Sequence, residues 1–169
     1  VVVSAVFAIG QARALRAEGQ QFSRAEAINS FLGRILTAAD PSRAKGANVT
    51  VRDALDAAAR RIDGGELREQ PLVEADIRTT IGTTYTNLGL YPQAVAQLRS
   101  ADAILARDLG PTNLSTLRTR VRLAEALYYT LEDYPGTVAL AEPTVAALRG
   151  TLGSEHEETL RAMVTLGTL

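Results

Sequence analysis

Residues 81–126 and 124–169 of this 169-residue chain are versions of one another. Aligned at an offset of 43 they share fifteen identities in 46 pairs, including Tyr85/Tyr128, Tyr91/Tyr134, Gly110/Gly153 and Thr116/Thr159, where chance would match only a few. LGPTNLSTL at 109–117 returns as LGSEHEETL at 152–160, and LGLYPQAVA at 88–96 returns as LEDYPGTVA at 131–139. A period of this length marks a unit that buries its apolar face against the next copy, so the chain is expected to be a stack of such units. Composition says what the unit is made of. Twenty-eight Ala and 22 Leu are strong helix formers, and aromatics are only 5% of residues. That balance predicts an all-α fold and disfavours a β-sandwich.

Helical spacing fills most of the chain. The expected helices lie near 11–39, 51–62, 72–88, 92–108, 113–131, 135–149 and 155–169, with no strand. Asp40–Pro41 ends the first, because the residue before Pro is biased away from the helical region, and PSRAKGAN follows as a polar loop. Thr50 with Asp53 three residues on resembles a capping box. Gly64–Gly65 stops the second helix, and Pro71 stands where a third can begin. The opening VVVSAVFAIG is ten largely apolar residues against about 20 for a membrane span. It reads either as the end of a transmembrane helix or as the first turns of a buried one. The organisation expected is therefore an apolar segment at 1–10, a helical region at 11–70 and repeats at 71–169. Beginning without Met and ending inside a helical pattern, the sequence reads as a piece of something longer.

Inside the repeat, Ile81-Gly82-x-x-Tyr85-x-x-x-Gly89-x-Tyr91-x-x-Ala94-x-x-x-Leu98-x-x-Ala101 resembles the tetratricopeptide repeat. Small Gly82 and Ala94 let two antiparallel helices approach, Tyr85 and Leu98 fill their seam, Gly89 permits the turn, and Ala101 lets the next hairpin stack. The longer period and the LG-x-x-x-x-x-TL connector are similar to the kinesin-light-chain type. In the second unit Leu123-Ala124 follows Ile81-Gly82 by 42 residues while Tyr134 follows Tyr91 by 43, so one residue is inserted before the turn. Thr137 replaces the packing Ala and Ala141 the Leu, which predicts a looser hairpin. The resemblance implies a tetratricopeptide-type right-handed superhelix of stacked helical hairpins, with two helices covering its N-terminal end.

A wider resemblance covers nearly the whole chain. AINSFLGRILTAADPSRAKGANVTVRDALDAAARRID, LREQPLVEADIRTTIGTTYTNLGLY and the two connectors are similar to the region that follows the transmembrane helix in bacterial eukaryotic-like Ser/Thr protein kinases carrying such repeats. This implies a non-catalytic scaffold or sensory module on the extracytoplasmic or periplasmic side of a membrane-anchored parent.

The residues offer little catalytic chemistry. No Cys excludes disulfides and thiolate sites, and a single His excludes a multi-histidine metal site within one chain. Kinase motifs and the G-x-S-x-G elbow are absent, and Lys45, the sole lysine, lacks a phosphate-loop frame. Thr50, Asp53 and Asp56 lack the spacing of a calcium loop. His156, among Glu155, Glu157 and Glu158, reads as part of a charged helix start. No enzyme, cofactor or metal is expected. Eighteen basic residues against nineteen acidic ones offer no overall attraction to nucleic acid.

Binding chemistry is the better prospect. In this repeat class the first helix of each hairpin lines a concave groove. Counting from Ile81, Leu123 and Leu166 as equivalent positions, its facing residues are Asp76, Thr79, Thr83, Thr86 and Asn87, then Arg118, Arg122, Glu125 and Tyr129, then Arg161 and Thr165. Three arginines against two acids make a mildly basic groove able to bind carboxylates, and the alternative is that these are solvated helix residues. Tyr85, Tyr91 and Tyr134 are expected to pack. The partner class is a protein or peptide. The rival reading is a self-association module in which the long N-terminal helix pairs two chains.

Overall fold

The computed structural model describes residues 23–31, 33, 50–130 and 134–168. The apolar segment 1–10, the loop after Pro41 and both ends of the expected first helix lie outside the described residues. Those described are helices and their connectors, with no strand among them. Residues 23–31 form α1, followed by α2 (Val51–Asp63), α3 (Pro71–Asn87), α4 (Tyr91–Asp108), α5 (Leu114–Thr130), α6 (Tyr134–Leu152) and α7 (Glu157–Thr168). The chain divides into two compact units, 1–54 and 55–169. Among the described residues no helix is long and apolar enough to cross a membrane.

Local chemistry sets the boundaries. The Asp53 backbone N–H donates to Thr50 Oγ1 at 3.2 Å while the Thr50 N–H donates to Asp53 Oδ2 at 2.9 Å, closing the capping box at the start of α2. Pro71 opens α3, where its missing N–H costs nothing. Asn113 and His156, 43 residues apart, play one part. Asn113 Oδ1 accepts from the Ser115 N–H at 2.9 Å, and His156 Nδ1 accepts from the Glu158 N–H at 3.1 Å. Each caps the helix it precedes, so His156 acts here as a helix cap. Gly110 and Gly153 repeat at φ +95° and +90°, the left-handed region that turns the chain out of a second helix and into the next first one.

Helix starts keep the 43-residue period: Pro71, Leu114 and Glu157 open the first helices, and Tyr91 and Tyr134 the second. Each helix from α3 to α7 packs against the next, and the first helices α3, α5 and α7 also touch in sequence. The α3–α4 seam has the expected closeness. Gly82, Tyr85, Ala94, Leu98 and Ala101 are all buried, and a Cβ on Gly82 would lie 2.6 Å from Leu98 Cγ. In the next hairpin Ala124 and Ala141 take those places. A small void of about 10 Å³, barely room for one water, lies where α5, α6 and α7 meet, lined by Ala124, Ala141, Val145 and Ala162 among others.

Burial in α5 runs mostly one residue ahead of the 43-residue match, as the 42-residue spacing of Ile81 and Leu123 requires. Ala75, Ile77, Ile81, Gly82 and Tyr85 correspond to Leu117, Thr119, Leu123, Ala124 and Leu127. The seam counterpart of Tyr85 is thus Leu127, and Tyr128 is turned out of the seam although it aligns with Tyr85 by identity.

Polar staples join the helices. Arg78, 6% exposed, reaches Asp63 Oδ1 at 2.9 Å, Glu74 Oε1 at 2.8 Å and Gln97 Oε1 at 2.7 Å, linking α2, α3 and α4. Tyr85 Oη donates to Asp56 Oδ1 at 2.6 Å. Arg120 ties α5 to Asp102 of α4 at 2.8 Å.

Candidate functional site

The first helices stand side by side in a constant register, because four side-chain bonds between neighbours join residues 39 or 40 apart. Thr79 and Thr119 hydroxyls meet at 3.4 Å, and Arg122 Nη1 donates to Thr83 Oγ1 at 3.4 Å. Arg118 Nε donates to Glu158 Oε1 at 2.9 Å, and Thr165 Oγ1 donates to Glu125 Oε1 at 3.3 Å. A regular ladder of polar side chains therefore marks the face the three helices share.

Most of the expected groove residues fall on this ladder, and it has two chemically different ends. Toward the helix N-termini the arginines are already engaged. Arg118 holds Glu158 through Nε, Arg122 leans on α3, and Arg161 Nη2 pairs with Glu157 Oε1 at 3.3 Å on its own helix. Glu157 and Glu158, which the groove count left out, offset the expected basic character. Asp76, Thr79 and Thr83 are half-buried on α3, and the hydroxyls of Thr79 and Thr83 donate to Ala75 and Thr79 carbonyls.

Toward the helix C-termini the face opens into a groove of about 410 Å³. Five of the expected residues meet there: Thr86 and Asn87 of α3, Glu125 and Tyr129 of α5, and Thr165 of α7. Three others join them, namely Tyr91, Tyr128 and Val164. Tyr91 stacks on Tyr129 with ring centroids 4.8 Å apart and planes 17° from parallel. Tyr128 meets Tyr129 edge to face at 5.1 Å. Both geometries suit the ring quadrupole and hold the rings in place.

The expected packing role fits Tyr85, which is 2% exposed, but not Tyr134, which is 54% exposed. Tyr91 packs, yet against another groove residue. The one-residue shift in α5 was the available sign that Tyr128 leaves the seam, since it moves that side chain about 100° around the helix. Among the described residues no group of three His, Cys, Asp or Glu side chains is placed to hold a metal. The Arg107 guanidinium hydrogen-bonds to Asp108 and holds that carboxyl below its ordinary range, on exposed residues outside the groove lining. No family model, curated protein or solved structure matches this chain.

Proposed function

We propose that this chain is a non-catalytic protein-interaction module, a tetratricopeptide-type right-handed superhelix that receives a peptide or extended protein segment along the face of α3, α5 and α7. The observation that carries the reading is the groove of about 410 Å³ in which residues from all three first helices meet around stacked Tyr91 and Tyr129. Support for the superhelix comes from helix starts recurring every 43 residues and from the constant register between neighbouring first helices. An extended ligand lying across such a face would meet a tyrosine-rich patch beside a row of polar side chains. Aromatic anchors with a polar rim are what peptide grooves use. The resemblance seen in the sequence extends the proposal to a parent, a membrane-anchored bacterial signalling kinase in which this region recruits or senses.

Panning a random peptide display library on the full 169-residue chain tests the reading. Peptides should be retained by the unaltered protein and lost from Tyr129→Ala, whose far-UV circular dichroism should be unchanged because the side chain is half exposed. Retention of the same peptides by the variant would place the binding surface elsewhere.

A further inference from the structure

The geometry points to a subsite for a cationic side chain, above all an arginine guanidinium, at the tyrosine-lined end of the groove. This rests on the reading of the helix face as a peptide groove. Among the described residues lining that end, Glu125 is the one with a formal charge. It lies one helical turn before Tyr129 on α5, so its carboxylate and the Tyr129 ring share a face. Thr165 Oγ1 engages Glu125 Oε1, which steadies the carboxylate and takes one of its roughly four acceptor sites. Tyr91 stacks on Tyr129 and Tyr128 meets it edge to face, yet 54% of Tyr129 remains exposed, so the residue stays accessible to a ligand in the groove.

The arginines one turn earlier on α5 and α7 are engaged elsewhere. Arg122, one turn earlier on α5, reaches across to Thr83 of α3, and Arg161, one turn before Thr165, turns to Glu157. A guanidinium can stack flat on a tyrosine ring and donate in its own plane to a carboxylate, satisfying both groups together. An apolar ligand would bury the Glu125 charge without a partner, and an acidic one would meet like charge. The preferred partner is therefore a peptide segment presenting arginine, the reverse of what the arginines at the other end of the ladder suggest.

Tyrosine ring shifts followed by NMR test this on the full chain. The probes are a capped glycine pentapeptide with arginine at its centre, its neutral citrulline analogue and its glutamate analogue. The arginine peptide should move the Tyr91 and Tyr129 resonances saturably. The citrulline peptide should bind at least about tenfold more weakly, as should the arginine peptide to Glu125→Gln, an isosteric change that keeps the groove's shape. Equal binding of arginine and citrulline peptides, preference for the glutamate peptide, unchanged affinity in Glu125→Gln, or no tyrosine shift at all would each overturn the cationic subsite. The general groove reading would not fall with it, because that stands on the Tyr129-dependent panning result.

Discussion

At the scale of single residues, the chain solves one packing problem in two ways. In the first hairpin Gly82 faces Leu98, and in the second Ala124 faces Ala141, so a methyl gained on one helix is matched by volume lost on the other. Gly82→Ala would gain about 1 kcal/mol of helix propensity. It would also set a Cβ 2.6 Å from Leu98 Cγ and 3.2 Å from the Ala94 carbonyl oxygen, an overpacking worth about 1–3 kcal/mol, so the net effect should be a lower melting temperature. Leu98→Ala alone should cost about 2–5 kcal/mol. The double variant reproduces the second hairpin's pair and should be less destabilised than the sum of its parts by about 1 kcal/mol or more. Strict additivity in thermal or urea unfolding would show that the two seams are unrelated. The closeness of this seam was legible in the repeat pattern, where small Gly82 and Ala94 let the two helices approach and Leu98 fills the space between them. Thr116 and Thr159 show what spacing does not reveal. Both are fully buried at matching positions, yet Thr116 Oγ1 donates to the Gly110 carbonyl at 2.9 Å while Thr159 Oγ1 has no partner.

At the scale of elements, boundaries written in caps and breakers were readable, and those set by tertiary fit were not. The Thr50–Asp53 box, Pro71 and Gly110 each carry their own local reason, and α2 to α5 begin and end within one residue of the expected positions. Helix α6 begins within one residue of the expected 135–149 and passes through Pro143 as that range requires, but it continues three residues further, to Leu152. Proline at that position has no N–H for the Ala139 carbonyl and crowds it, a cost of about 3 kcal/mol in a helix interior. Neighbours hold the helix together: Thr137, Ala141, Val145 and Leu148 are buried on one side of it. Pro143 itself is exposed, so Pro143→Ala should restore the backbone bond without losing packing. The expected gain is about 1–3 kcal/mol, read as a raised midpoint in urea. An unchanged or lowered midpoint would mean that the proline is accommodated without strain. The groove was half legible for a related reason. Counting along the helices found Thr86, Asn87, Glu125, Tyr129 and Thr165, but Tyr91 comes from a second helix, and Tyr128 reaches the groove only through the one-residue shift inside α5.

At the scale of the whole molecule, a stack of units is stabilised unit by unit, since each covers the apolar face of its neighbour. Leu117 and Val121 of α5 are 1% and 4% exposed, closed in with Val145 and Leu148 of α6 and Ala162 of α7. Their counterparts 43 residues on, Leu160 and Val164 of α7, are 45% and 66% exposed. The same two side chains are therefore core in one unit and surface in the next. Leu117 and Val121 have α6 packed against them, and among the described residues Leu160 and Val164 have no helix in that place. Full burial of a large aliphatic side chain is worth about 1.5–3 kcal/mol, so covering this pair would recover a few kcal/mol. Because Ala126 and Leu169 are 43 residues apart, a copy of residues 127–152 placed after Leu169 continues the repeat in register. Such an extended chain should melt higher, by about 2–4 °C for each kcal/mol recovered. The unextended chain should self-associate through α7, with Leu160→Glu returning it to monomer in sedimentation velocity at rising concentration. If the extended chain melts no higher and the unextended one stays monomeric at every concentration, α7 is stable with its apolar face in water, and burial by the next unit contributes nothing to this stack.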